Sequence, residues 1–381
     1  MKTTPHKLWK ASGGIRCLLV ILVLFGYLAV VMGASNMLNT IMKTAHDLLL
    51  NTCFYLMAIC VLMGALSQIL VEFGVVNLLE RLLRPLMKPL FNLPGVASLG
   101  AVMTFLSDNP SIITLAKDKR FASYFKKHQF ISLTNFGTAF GMGLIVIVFM
   151  VGQGFYWEPL VGFAGACAGC IISTRLMQRF VLKSNPEYAL EQAAEPLERE
   201  AEPEEEKDRP STFVRILNSL LDGGKSGVDV GLAIIPGVLI ISTLVMILTF
   251  GAPAGGAYTG GAYEGTALLP WLADKVSWLF EALFGFKDPH LVAFPITALG
   301  AVGAALSLVP NFLAQGWLDG NAIAVFTAIG MCWSGYLSTH TAMLDAIGYR
   351  RLTSKAILAH AIGGLCAGVF AHLVMLLIGL F

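Results

Sequence analysis

"GAVMTFLSDNPSI" (100–112) and "GAVGAALSLVPNF" (300–312) decide how this chain folds. Both open on Gly-Ala-Val, and both place a serine seven residues and a proline ten residues after that glycine. Each lies in a long apolar region and interrupts it. Proline has no amide hydrogen and suits the first turn of a helix. Each segment therefore reads as a short helix, a turn and a second half-helix, which is a re-entrant hairpin rather than a simple span. In the first hairpin Asn109 is the natural N-cap, with Ser107 and Asp108 as alternatives. In the second, Ser307 and Asn311 flank the break and no acid is present.

The surroundings are those of a bilayer. Of the 381 residues 56% are hydrophobic and 13% charged, against about 25% charged in a soluble domain. "CLLVILVLFGYLAVVMG" (17–33) carries no charge and as a helix covers roughly 25 Å, close to the thickness of a hydrocarbon core. The runs do not alternate as barrel strands do. The expected spans are 17–33, 47–72, 128–152, 159–178, 228–250 and 356–380, with 94–115 and 290–312 broken. Residues 322–345 begin apolar and turn polar at "SGYLSTHTAMLD". The basic start, the apolar run and "MGA" (32–34) resemble a signal peptide, but the reading adopted is an uncleaved first span, because all that follows is membrane-like too.

Several function classes fall away. A net charge of +2 gives no reason to expect nucleic acid. Cys167 and Cys170 form a CxxC inside the small-residue helix "GFAGACAGCIIS", where packing is expected rather than zinc or redox chemistry. "LLDGGKS" (220–226) lacks the first glycine of a phosphate loop, since Ser219 stands in its place. No metal site and no cofactor is expected, apart from a coupling Na+ or H+.

Charges orient the spans. Lys2, Lys7, Lys10 and Arg16 place the N-terminus in the cytoplasm by the positive-inside rule. Counting spans then puts Arg81, Arg84 and Lys88, the run "KDKRFASYFKK" (117–127), Arg175, Arg179, Lys183, Arg350, Arg351 and Lys355 on the same side. The C-terminus falls outside. The outer loops 153–158 and 251–266 contain no lysine or arginine.

The fold class is accordingly an all-α integral membrane protein of two inverted-topology repeats. Each repeat has an interfacial amphipathic helix (74–92 and 267–286) and a broken re-entrant segment. The organisation is an N-terminal span and loop (1–45), a first membrane repeat (46–182), an acidic cytoplasmic linker (183–212) and a second, inverted repeat (213–381). The linker is proline-bearing and poor in apolar residues, as disordered segments are. After each break comes a Thr-x-x-Gly, Thr134 with Gly137 and Thr327 with Gly330. Inverted repeats with interrupted helices place a site near the midplane where the breaks meet.

The candidate site residues follow. Ser107, Asp108 and Asn109 form the first elbow, and Ser307 and Asn311 the second. A carboxylate at membrane depth calls for a partner, a proton or a cation, which makes Asp108 a candidate coupling site. Thr134 and Asn135 begin the span after the first break, and Ser338, Thr339 and His340 lie in the equivalent span of the second repeat. A histidine there can carry protons or read a polar solute.

"SGVDVGLAIIPGVLIISTLVMILT" (226–249) and "LLRPLMKPLFNLPGVASLGAVMTFLSDNPS" (82–111), with the duplicated layout, resemble the gate-domain or nucleoside-recognition membrane family. That family includes spore-maturation membrane proteins, and related gate segments occur in concentrative nucleoside transporters and ferrous-iron transporters. The resemblance implies re-entrant segments around a central site and transport of nucleosides, other small polar solutes or ions. The GTPase domain of the iron transporters is absent from this sequence, and no binding residue is carried over from the family.

The expected function is thus a multi-pass transporter in the cell inner membrane, secondary and proton- or sodium-coupled, and not an enzyme. Its partners are the lipid bilayer and a small polar solute, and the chain admits a homo-oligomer. Two other readings stand beside it. One is a membrane scaffold or partner subunit working through the charged linker. The other is an intramembrane enzyme acting on a lipid, which would rest on His340 with Ser338.

Overall fold

The computed structural model describes residues 5–195 and 211–380. Among them every regular element is helical. Seven stretches are long and apolar enough to cross a bilayer: Gly13–Met32, Ala34–Glu72, Lys127–Gly152, Glu158–Ser184, Thr212–Thr249, Gly320–Ala346 and Arg350–Ile378. The second starts earlier than expected. Residues 34–45, assigned to a loop, belong to the amphipathic helix Ala34–Asp47, which buries Met37, Thr40 and Thr44 and runs on through a widened turn, Leu48–Cys53, into Phe54–Glu72. Its buried residues are spaced at three and four, so that one stripe stays inside. Gly33, at φ 80°, turns the chain between this helix and the first span.

The first interfacial helix forms as Val75–Leu86 and a wider turn, Met87–Phe91. Asn92, at φ 55°, stops it. Asn77, Arg81, Arg84 and Lys88 are exposed along one side, and Leu78, Leu82, Leu86 and Leu90 are exposed along another, as suits a helix lying between water and lipid. The second interfacial helix is two pieces, Leu268–Asp274 and Ser277–Phe284. Val276, β-branched and at φ −128°, leaves the helical region between them.

The first hairpin breaks where the sequence says, between Ala97–Leu106 and Pro110–Lys117. The second breaks elsewhere. Its real interruption is at Ala301, which is extended (φ −164°, ψ 132°) between Ala293–Ala298 and Val302–Leu306. At Ser307 and Leu308, where the elbow was expected, the backbone keeps helical angles into Val309–Ala314. Pro310 sits in the first turn of that helix, where its missing amide hydrogen costs little.

Two further breaks divide spans that read as continuous. Lys127–Thr138 and Gly143–Gly152 are separated by turns ending in Met142 at φ 56°. Gly320–Cys332 and Tyr336–Ala346 are separated at Trp333–Gly335.

The two most extensive helix pairings join equivalent elements of the two repeats. Phe54–Glu72 runs antiparallel to Thr212–Gly237, with Gly64 against Gly223 and Gly227. Glu158–Ser184 crosses Thr353–Ile378, where Gly169 meets Gly363. A Cβ on Gly363 would lie 2.7 Å from the Gly169 carbonyl and 2.6 Å from Ser173 Cβ. Close backbone contact through small residues is how helices associate where lipid removes the hydrophobic drive. An antiparallel crossing of equivalent helices is what inverted repeats require.

The expected linker begins later than 183. The helix persists to Ser184, and a 3-10 turn, Pro186–Ala189, follows. Lys127 N–H donates to Glu191 O at 2.8 Å and Ala193 N–H to Phe125 O at 2.9 Å, so this stretch packs on the start of the Lys127–Thr138 helix. The most acidic part of the linker, 196–210, lies outside the described residues.

Candidate functional site

The tip of the first hairpin faces two ways. On one side Ser107 lines a small cavity, about 70 Å³, with Ser67, Gln68 and Ser226. The Ser67 hydroxyl donates to the free Leu106 carbonyl at 2.6 Å, and Ser107 and Ser111 hydroxyls meet at 2.6 Å. Asp108 lies within electrostatic reach of Cys60, another residue of this cavity. One Asp108 oxygen accepts the Asn109 N–H at 2.7 Å.

On the other side Asn109 enters the protein, 4% exposed. Its backbone is already helical and its side chain makes no capping bond, contrary to the expectation of an N-cap. The amide instead lies between the two unexpected helix breaks. Nδ2 donates to Ser334 Oγ at 3.3 Å, and Ser334 spends its one proton on the Thr138 carbonyl at 3.0 Å. That fixes the amide's orientation, because Ser334 has only acceptor capacity left. Asn109 Oδ1 then has no partner. A Cβ at Gly141 would strike Asn109 Oδ1 and Ser334 Oγ, and one at Gly335 would strike Asn109 Nδ2 and Thr339 Oγ1. The two glycines therefore let one asparagine sit against both elbows.

Near this point lies a buried polar chain whose direction can be worked out. Asn135 Nδ2 donates to Ser173 Oγ at 3.0 Å and to Ala356 O at 2.9 Å. His360 contacts Ser173 Oγ through Nδ1 at 2.8 Å and Cys332 O through Nε2 at 2.5 Å. A carbonyl only accepts, so Nε2 carries the proton; Nδ1 of the neutral ring accepts from Ser173. His340 donates from Nδ1 to Tyr336 O at 2.5 Å, which leaves Nε2 a bare acceptor without a partner. The two imidazoles are 4.5 Å apart between centroids. Thr134 Oγ1 and Asn135 Oδ1 are also buried and unpartnered.

The candidate residues thus divide. Asn109 and Thr339 meet at the elbows, Ser107 lines the neighbouring cavity, and Asp108 follows it at the hairpin tip, half-buried. Asn135 and His340 belong to the buried polar region around His360, and Thr134 is buried on the same helix as Asn135. Three stand apart. Ser338 is exposed, one residue out of phase with the inward face of its helix, so the Ser338–His340 pair that hinted at catalysis is not assembled. Ser307 is satisfied locally by Ala304 O at 2.7 Å. Asn311 bonds Tyr263, whose hydroxyl is held by Asp47. It belongs to the outer-loop cluster because the helix is unbroken around it. Sequence reasoning gave no site role to Gly141, Ser173 or Gly335. A signal for the two glycines was present: each is the next glycine after its Thr-x-x-Gly, in "TAFGMG" and "CWSGYL".

These elements define the class: a multi-pass helical membrane protein of two inverted repeats, each with a re-entrant hairpin and an interrupted span. Residues 53–154 match the family model described as Gate, nucleoside recognition, which bears out the resemblance read from the sequence. An uncharacterized protein of Alkalihalophilus pseudofirmus is 30% identical over 97 residues, a match spanning 25% of this chain and 21% of that relative. Among solved structures, CNTnw, a concentrative nucleoside transporter, shares the fold. A variant of it in an outward-facing state aligns with a TM-score of 0.57 at 17% identity, over 99% of this chain and 87% of CNTnw. Its inward-facing substrate-bound state gives 0.53 at 15% identity, over 83% and 74%. The chain therefore shares the fold of CNTnw.

Proposed function

We propose that the protein is a secondary transporter of a small polar solute of nucleoside type, coupled to protons or sodium at the tip of the first hairpin. The buried, unpartnered Oδ1 of Asn109 carries this reading. Leaving such a group unmade costs about 1–3 kcal/mol, and a strained or orphaned polar group persists where something else needs it. The re-entrant tip also supplies the Leu106 carbonyl, which accepts from the Ser67 hydroxyl, and the Asp108 carboxylate, oxygen ligands of the kind a hard cation takes. The cavity beside Ser107, about 70 Å³, has room for a cation or a proton-carrying water but is well below the roughly 300 Å³ of a drug-sized ligand site. In this conformation it suits the coupling ion, and the solute site opens when the hairpin moves.

By the charge pattern the N-terminus is cytoplasmic, the C-terminus outside, and the membrane the inner one. A second copy of the chain is a further partner. Asp222, Lys225 and Asp229 are exposed along one stripe of the Thr212–Gly237 helix, on the side away from Phe54–Glu72. Asp229 stands about 20 Å along the helix from Arg215, at a depth where an unpaired charge facing lipid is costly.

The test is uptake of tritiated uridine or adenosine into proteoliposomes under imposed sodium or proton gradients. Asp108→Asn should abolish gradient-driven uptake in protein that inserts and melts normally. Undiminished uptake by that variant would remove Asp108 from the coupling role.

A further inference from the structure

Under the first interfacial helix lies a second cavity, about 400 Å³, that the transport reading does not use. Every residue lining it is apolar. One wall is the interfacial helix from Leu79 to Phe91. The others are Ala101 and Phe105 of the first hairpin, Phe140 at the elbow before Gly141, and Phe163, Cys167 and Ile171 of the Glu158–Ser184 helix. Leu82, Leu86 and Leu90 line the cavity while being 62%, 44% and 38% exposed, so it opens beside them to the surroundings of the protein. For a helix in the interface, those surroundings are lipid.

The rim is basic. Arg175, one turn beyond Ile171, is pinned to the Leu90 and Pro89 carbonyls at 2.8 and 2.5 Å. We propose that the cavity is a binding site for an anionic phospholipid, with one acyl chain in the apolar slot and the head group against Arg175. An apolar slot open to a leaflet fills with chain, because an empty one forfeits the dispersion contacts of its whole lining. Basic residues at the interface add a preference for an anionic head group. The chain would rest on Phe105 and Phe140, close in sequence to Ser107 and Gly141, and so brace the hairpin tip from behind. The site is independent of which solute the protein carries.

Native mass spectrometry of delipidated protein, titrated with phosphatidylglycerol or phosphatidylcholine, tests this. Wild type should retain one phosphatidylglycerol per chain. Ala101→Phe and Phe163→Trp fill the slot from opposite walls, and each should weaken that adduct at least tenfold, so that one suffices if the other does not fold. Arg175→Gln should bring phosphatidylglycerol down to the phosphatidylcholine level and leave phosphatidylcholine unchanged. Equal retention by wild type and a folded slot-filling variant would overturn the site. Equal retention of the two lipids by wild type would overturn the anionic head-group preference.

Discussion

Asn109→Leu separates a structural asparagine from a functional one. Leucine has nearly the shape of the amide and keeps the contacts with Gly141 and Gly335. It removes the unpartnered Oδ1, whose burial costs about 1–3 kcal/mol. It also removes the Nδ2 bond to Ser334, which at 3.3 Å is long and contributes about 0.5–1 kcal/mol. Ser334 keeps its own bond to Thr138 O, so no new donor is orphaned. The balance is between no change and about 2 kcal/mol of added stability. Transport should move the other way. If Oδ1 meets the solute or ion in the transport cycle, uridine uptake should fall at least about 100-fold, or about 2.7 kcal/mol at 1.36 per decade. The assays are thermal unfolding in one detergent and initial uptake rates in proteoliposomes. A variant destabilised by more than about 2 kcal/mol, or one that transports like wild type, would show that Asn109 only packs the elbows.

Other outcomes follow from the same geometry. Gly363→Val should destabilise by about 1–3 kcal/mol through overpacking, since its Cβ meets the Gly169 carbonyl at 2.7 Å; denaturant unfolding measures it. Ser173→Ala should cost about 1–3 kcal/mol, because it leaves His360 Nδ1 buried without a donor, while Asn135 keeps its bond to Ala356 O. In the outer loop, burial alone would raise the Glu264 carboxyl, but the Thr259 hydroxyl and the N–H groups of Gly261, Thr259 and Gly260 outweigh it and hold it below the usual glutamate value. Its stabilisation is therefore present above the unfolded value of about 4.3 and is lost as pH falls below that. Hydrogen exchange across 258–265 should accelerate in that acid window in wild type, and at all pH values in Glu264→Gln.

The spans, both interfacial helices and the first elbow were legible because each leaves a mark in composition or in a proline. The breaks at Ala139–Met142 and Trp333–Gly335 left almost none. "TAFGMGLIVIVF" reads as uninterrupted apolar helix, and its turn is stabilised by a side chain from elsewhere, Asn109, reaching in beside Gly141. Tertiary contacts of that kind override local propensity. Ser307 and Asn311 misled for the opposite reason. Their sequence copies the first elbow, yet the helix runs on, because a proline in a first turn needs no break before it. Ser338 was a phase error: Tyr336, Thr339, His340 and Met343 mark the buried face of that helix, and Ser338 stands off it.

The departure from symmetry is what gives the site a direction. The backbone repeats closely enough that Gly169 meets Gly363 and that Gly141 and Gly335 flank one side chain. That side chain comes from the first hairpin alone. The corresponding part of the second is committed to packing, with Phe312 against Phe250 and Trp317 and Asn311 held by Tyr263. A hairpin whose tip ends in an unsatisfied oxygen, backed by an apolar cavity and faced by a polar one, has less holding it than a hairpin locked by three aromatic rings. On the proposed transport reading the first hairpin is the element that moves and the second the frame it moves against. Locking the first with a cross-link between Ser107→Cys and Ser226→Cys, which line one cavity, should stop uptake and reducing agent should restore it. Uptake that continues in fully cross-linked protein would assign the motion to some other element.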